Sequence, residues 1–153
     1  MGSFRFRRVA ALGLVLWALL ATYALGSHKE PTVEELKARI ATVSVADRPV
    51  LCIYISERQL DAAGRFYVAG DDQKAQTALG DVVTYSESAG EYAIQSHKHE
   101  KQSEIAIRKM VRKLDDLRHT VTHDEQEQIQ HAMDSLQRVR DDLLAAMFPK
   151  AGK

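Results

Sequence analysis

The sequence predicts an all-α domain, a bundle of four or five helices held together by apolar stripes. Three observations carry this. Proline and glycine number three and eight in 153 residues, too few to punctuate many short strands. Beyond residue 30, apolar residues recur at three- and four-residue steps. Thr32–Glu35 and Thr122–Glu125 have the spacing of capping boxes, which mark helix starts. The length suits one domain with a modest core, and 45% hydrophobic and 27% charged residues are ordinary for a folded protein.

Residues 1–26 stand apart. A basic "FRFRR" precedes seventeen uncharged residues, "VAALGLVLWALLATYAL", and Ala24 and Gly26 fit the small positions before a cleavage point. This is the layout of a secretory signal peptide. An uncleaved membrane anchor is the rival, at the short limit of the about 17–25 residues that span a bilayer. In both readings Arg5, Arg7 and Arg8 stay cytoplasmic and residues 27–153 are exported as a single helical domain. The expected location is the periplasm or cell envelope, soluble after cleavage or tethered without it. Membrane contact is then expected only through the N-terminal segment.

The exported part holds 18 basic and 21 acidic residues, a net charge of −3. Such a body does not attract nucleic acid by its overall field. Cys52 is the sole cysteine, so no intrachain disulfide exists. Set in "PVLCIYI", it reads as a buried thiol acting as a small hydrophobe.

The first helix is "PTVEELKARIATV", with Val33, Leu36, Ile40 and Val43 on one stripe. The next spans about residues 49–69. Its "VLCIYI" has strand-like composition, but Pro49 suits a first helical turn and no second strand is evident to pair with it. Gly70 stops this helix, and Asp71 or Asp72 caps the third. That helix carries Ala75, Leu79, Val82, Val83, Ala89, Ala93 and Ile94, and its Gly80 and Gly90 can admit a close neighbour. "SHKHEKQS", without a large apolar residue, predicts a turn or break. Ile107, Met110, Leu114, Leu117 and Val121 then form a heptad seam, answered by Ile129, Met133, Leu136, Val139, Leu143 and Met147. Two seams across a short link predict an antiparallel hairpin. Residues 97–118 are net +3 and residues 123–147 net −4, so docking is expected to set a basic flank against an acidic one.

Ala62, Ala63, Phe66, Gly70, Ala75 and Leu79 together resemble one tetratricopeptide hairpin. The early tryptophan, a later alanine (Val82 here) and the closing proline (Glu87 here) are missing. No second copy follows, and solenoids need stacked repeats. The resemblance implies helix-packing geometry, with a peptide groove beside Phe66 and Tyr67 as its functional form. More widely, "DRPVLCIYISERQL", "GDDQKAQTALGDVVTY", "KQSEIAIRKM" and "RDDLLAAMF" resemble small, uncharacterised, exported all-helical bacterial proteins. That resemblance implies export and helices and transfers no catalytic residue.

The chain has no Gly-x-Ser-x-Gly elbow, phosphate-binding glycine loop or His-Glu-x-x-His motif. No catalytic residue and no cofactor is therefore expected. His97, His99, His119 and His123 are the weak candidates for metal ligands, though the helix start at Thr122 spoils the shared face of the last two. Arg108, Lys109, Arg112 and Lys113 form a basic row without interleaved aromatics, unlike a nucleic-acid site. The expected function is a non-enzymatic scaffold or protein-interaction module of the envelope. Its partner would be an envelope protein met through that row or through Phe66 and Tyr67, with self-association open. The alternative is a small-ligand or metal-binding helical bundle.

Overall fold

In the computed structural model of the chain, residues 30–149 are described. The leader expected over residues 1–26 lies outside them. Residues 32–149 belong to one compact unit. Five helices run through it: α1 (Val33–Ile40), α2 (Arg48–Ala69), α3 (Asp72–Ser96), α4 (Glu100–Arg118) and α5 (His123–Met147). No strand occurs among the described residues, so the fold is the all-α bundle that the apolar periodicity predicts.

Local chemistry sets the ends. The Glu35 amide donates to Thr32 Oγ1 at 3.2 Å while the Thr32 amide donates to Glu35 Oε2 at 2.8 Å, the expected reciprocal cap. α1 is a surface helix whose only fully buried residue is Leu36, so most of its expected stripe stays half-buried. It is moored by Asp81 of α3, which accepts from Lys37 Nζ of α1 at 2.7 Å and from Gln59 Nε2 of α2.

"VLCIYI" is helical. Pro49 lies in the first turn of α2, and Cys52 and Ile55 are fully buried. Here tertiary burial outweighs β-propensity. Gly70 adopts φ 72°, and the Asp71 amide reaches back to the Phe66 carbonyl at 2.9 Å. Asp71 then caps α3 by accepting from the Lys74 amide.

The break expected in "SHKHEKQS" falls at residues 97–99, with His97 at φ 53° and His99 at φ 62°. It is shorter than its composition suggests. Ser103 and Glu104 are buried, so this polar stretch still contributes a full turn to α4.

α2 packs antiparallel on α3, and α4 on α5. The two hairpins lie side by side, like helix against like: α2 runs parallel to α4, and α3 to α5. Lys113 of α4 meets Asp61 of α2, and Val139 of α5 lies against Gly90 of α3. The core between them is built from Leu60, Leu79, Val82, Ile107, Leu114, Ile129, Leu136 and Leu143. Truncating a fully buried member such as Leu114 to alanine would cost about 2–5 kcal/mol. The α3–α5 seam is the closer of the two lateral seams. Glycine, alanine and serine line it, at Gly90, Ala132 and Ser135.

The expected pairing of a basic α4 with an acidic α5 is not what joins them. Among the described residues, the ion pair between these two helices runs the other way, from Glu104 of α4 to Arg140 Nε of α5 at 2.7 Å. Asp124, Glu127, Asp134, Asp141 and Asp142 are all exposed. The helices bury their apolar seams, which turns the charge-rich flanks to solvent.

Candidate functional site

A groove runs along α2 and α4. It encloses ≈ 360 Å³ and is lined by Leu60, Gly64, Val68 and Leu117, with Asp61, Arg65 and Lys113 at its edge. It continues for a further ≈ 220 Å³ past Met110, between Glu57 and Lys109. Gly64 deepens it, since a Cβ placed there would meet nothing within 4 Å. Val68 is 89% exposed, the most exposed large apolar residue among those described.

Lys109 and Lys113 of the basic row line this groove, whereas Arg108 and Arg112 are not among its lining residues. Arg108, Lys109, Arg112 and Lys113 are exposed on α4. Lys113 Nζ pairs with Asp61 across the groove, and Arg108 Nε lies 3.7 Å from Glu104. Among the described residues, Arg65, Lys109 and Arg112 have no carboxylate within ion-pair distance. The rim is therefore net positive.

Phe66 and Tyr67 face elsewhere. Both are half-buried against the core rather than set in this groove. Lys74 Nζ lies 5.8 Å from the Phe66 ring centroid. The Tyr67 hydroxyl is buried without a hydrogen-bond partner. Burial, with Glu125 and Asp72 nearby, pushes its pKa up to about 12. The residues that do line the groove come from the next face of α2.

The four candidate histidines do not converge. His97 and His99 form the α3–α4 turn, whereas His119 caps the end of α4 and His123 opens α5. The 19 residues of α4 separate the two pairs by about 28 Å. The nearest carboxylates are Glu100, 3.5 Å from His97 Nδ1, and Asp115, 3.8 Å from His119 Nε2. Among the described residues, no three His, Cys, Asp or Glu side chains group so as to hold a metal. Cys52 is fully buried, and desolvation raises its thiol pKa to about 11 despite Arg48.

A second groove of ≈ 370 Å³ follows α3 and α5, lined by Leu79, Gly80, Val83 and Ala132 with Gln76, Glu127, Gln128 and His131. It has no exposed large apolar residue at its edge and no row of like charges. Among the described residues, no helix is long and apolar enough to cross a membrane. Compared with protein-family models, curated proteins and solved structures, the chain matches none.

Proposed function

We propose that this protein is an exported, non-enzymatic scaffold or interaction module of the bacterial envelope, and that it meets its partner through the α2–α4 groove and the adjoining basic row of α4. One observation carries the reading: the groove places highly exposed Val68 beside Arg65, with Lys109 lining its continuation, and neither cation has a carboxylate partner among the described residues. An apolar floor with a net positive rim suits recognition, since the floor supplies burial and the rim supplies steering and register. Like-on-like stacking of two hairpins, the geometry of helical repeats, supports it further. On this reading α2–α3 acts as a single tetratricopeptide-like unit with α4–α5 as its neighbour. The division of the histidines between opposite ends of α4 favours contact over metal chemistry. Export rests on the residue pattern of 1–26 alone.

The test is crosslinking and affinity capture of the full chain from its native envelope. Wild type should recover a defined envelope protein from the exported fraction. The combined Arg108→Glu, Lys109→Glu, Arg112→Glu and Lys113→Glu variant should lose it while keeping its helical circular dichroism. Undiminished recovery by the folded variant, or recovery of the protein itself from the cytosol, would refute the proposal.

A further inference from the structure

We infer that the occupant of the α2–α4 groove is an amphipathic helix of a partner protein, with apolar residues one turn apart and flanking Asp or Glu side chains. This rests on the interaction reading above and names its ligand.

Shape argues for a helix. The groove lies between two parallel helices, and such a furrow accepts the side-chain ridge of a third. Its ≈ 360 Å³ holds a few apolar side chains and no more. Gly64 provides the depth, and Leu60 and Leu117 the floor. A bilayer would instead seek apolar groups that protrude together. Here only Val68 stands out, and the remaining apolar surface is recessed.

Charge argues for acidic flanks. Arg65 on α2 and Lys109 on α4 border the recess and lack carboxylate partners among the described residues, against one lining carboxylate, Glu57, that is likewise without a cation partner there. Asp61 is already taken by Lys113. With Arg65, Lys109 and Lys113 set against Glu57 and Asp61 the rim is net positive, so a helix flanked by glutamate meets more opposite charge than one flanked by lysine. The same charges would steer the encounter, so binding should weaken with salt.

The experiment uses the folded protein and labelled synthetic helices of about five turns. One carries Leu at three- and four-residue spacing with Glu flanks, and a second has every Glu replaced by Lys. Anisotropy should show the acidic helix binding at least about tenfold more tightly than the basic one. Gly64→Leu fills the recess without touching the core and should weaken the acidic helix by about tenfold or more. Arg65→Glu with Lys109→Glu should reverse the preference between the two helices.

Equal binding of both helices, no binding of either, or indifference to Gly64→Leu would overturn the inference. So would binding to phosphatidylglycerol vesicles that Gly64→Leu abolishes, which would assign the groove to lipid. If envelope capture still depends on the α4 row while the acidic helix fails, the helix ligand is wrong and the broader proposal stands. If the acidic helix binds while envelope capture ignores the α4 row, the reverse holds.

Discussion

Gly90 of α3 lies so close to Val139 of α5 that a Cβ on the glycine would sit 2.6 Å from Val139 Cγ1. Valine is stiff about χ1 in a helix, so it cannot easily swing aside. Overpacking of this kind costs about 1–3 kcal/mol, while alanine at a helical glycine returns about 1 kcal/mol of propensity. Gly90→Ala should therefore destabilise on balance, and adding Val139→Ala should relieve the clash. Gly64→Ala and Gly80→Ala have nothing within 4 Å and should stabilise by up to about 1 kcal/mol. Urea midpoints of the four variants test these opposite signs.

Glu104 is buried at 7% exposure and held by Arg140 Nε at 2.7 Å. Glu104→Ala should cost roughly 1–3 kcal/mol by leaving Arg140 without its acceptor. The low end is expected, because the Arg140 side chain is 28% exposed and can turn to water. Glu104→Gln keeps an acceptor and should cost less. Chemical denaturation at fixed ionic strength separates the two.

Cys52 should resist alkylation in the native protein. Its thiol is fully buried, and its raised pKa of about 11 leaves almost no thiolate at neutral pH. Mass spectrometry after iodoacetamide treatment should show modification only once denaturant unfolds the chain. Rapid labelling of the folded protein would contradict the burial of α2.

A pH response is expected where α3 and α5 begin. Hydrogen bonding to Glu125, then burial and the charge of Glu125, hold the Asp72 carboxyl above its ordinary 3.8. Bonds from the Thr122 side chain and backbone hold Glu125 below its ordinary 4.5. The contribution of Asp72 is thus present below about pH 4 and lost as pH rises through its raised pKa. That of Glu125 is present above its ordinary value and lost as pH falls through its lowered one. At neutral pH Asp72 opposes folding and Glu125 favours it. Asp72→Asn should raise the melting temperature at neutral pH and bring no gain in acid. Glu125→Gln should lower it at neutral pH and matter little in acid.

Sequence pattern revealed the helices because their ends are local chemistry. Thr32 with Glu35, Thr122 with Glu125, and Gly70 each act within one turn, and each appears in the fold as expected. Stripes such as Ile107, Met110 and Leu114 were legible for the same reason. What was hidden depends on pairs far apart in sequence. Glu104 reads as a solvated acid until Arg140, 36 positions away, stands beside it. Phe66 and Tyr67 read as groove residues through the tetratricopeptide resemblance, and in the fold both are half-buried against the core. The groove itself is assembled from residues of α2 and α4 that lie far apart in sequence, which no single helix pattern encodes.

The unequal lateral seams also bear on motion. With Gly90 and Val139 in tight register, the α3–α5 contact acts as the spine of a half-open book whose covers are α2 and α4. Rocking of one hairpin on the other would pivot at that spine and change the gap at the opposite edge most. Guests of different girth could then be admitted by small rotations, with neither hairpin having to unfold.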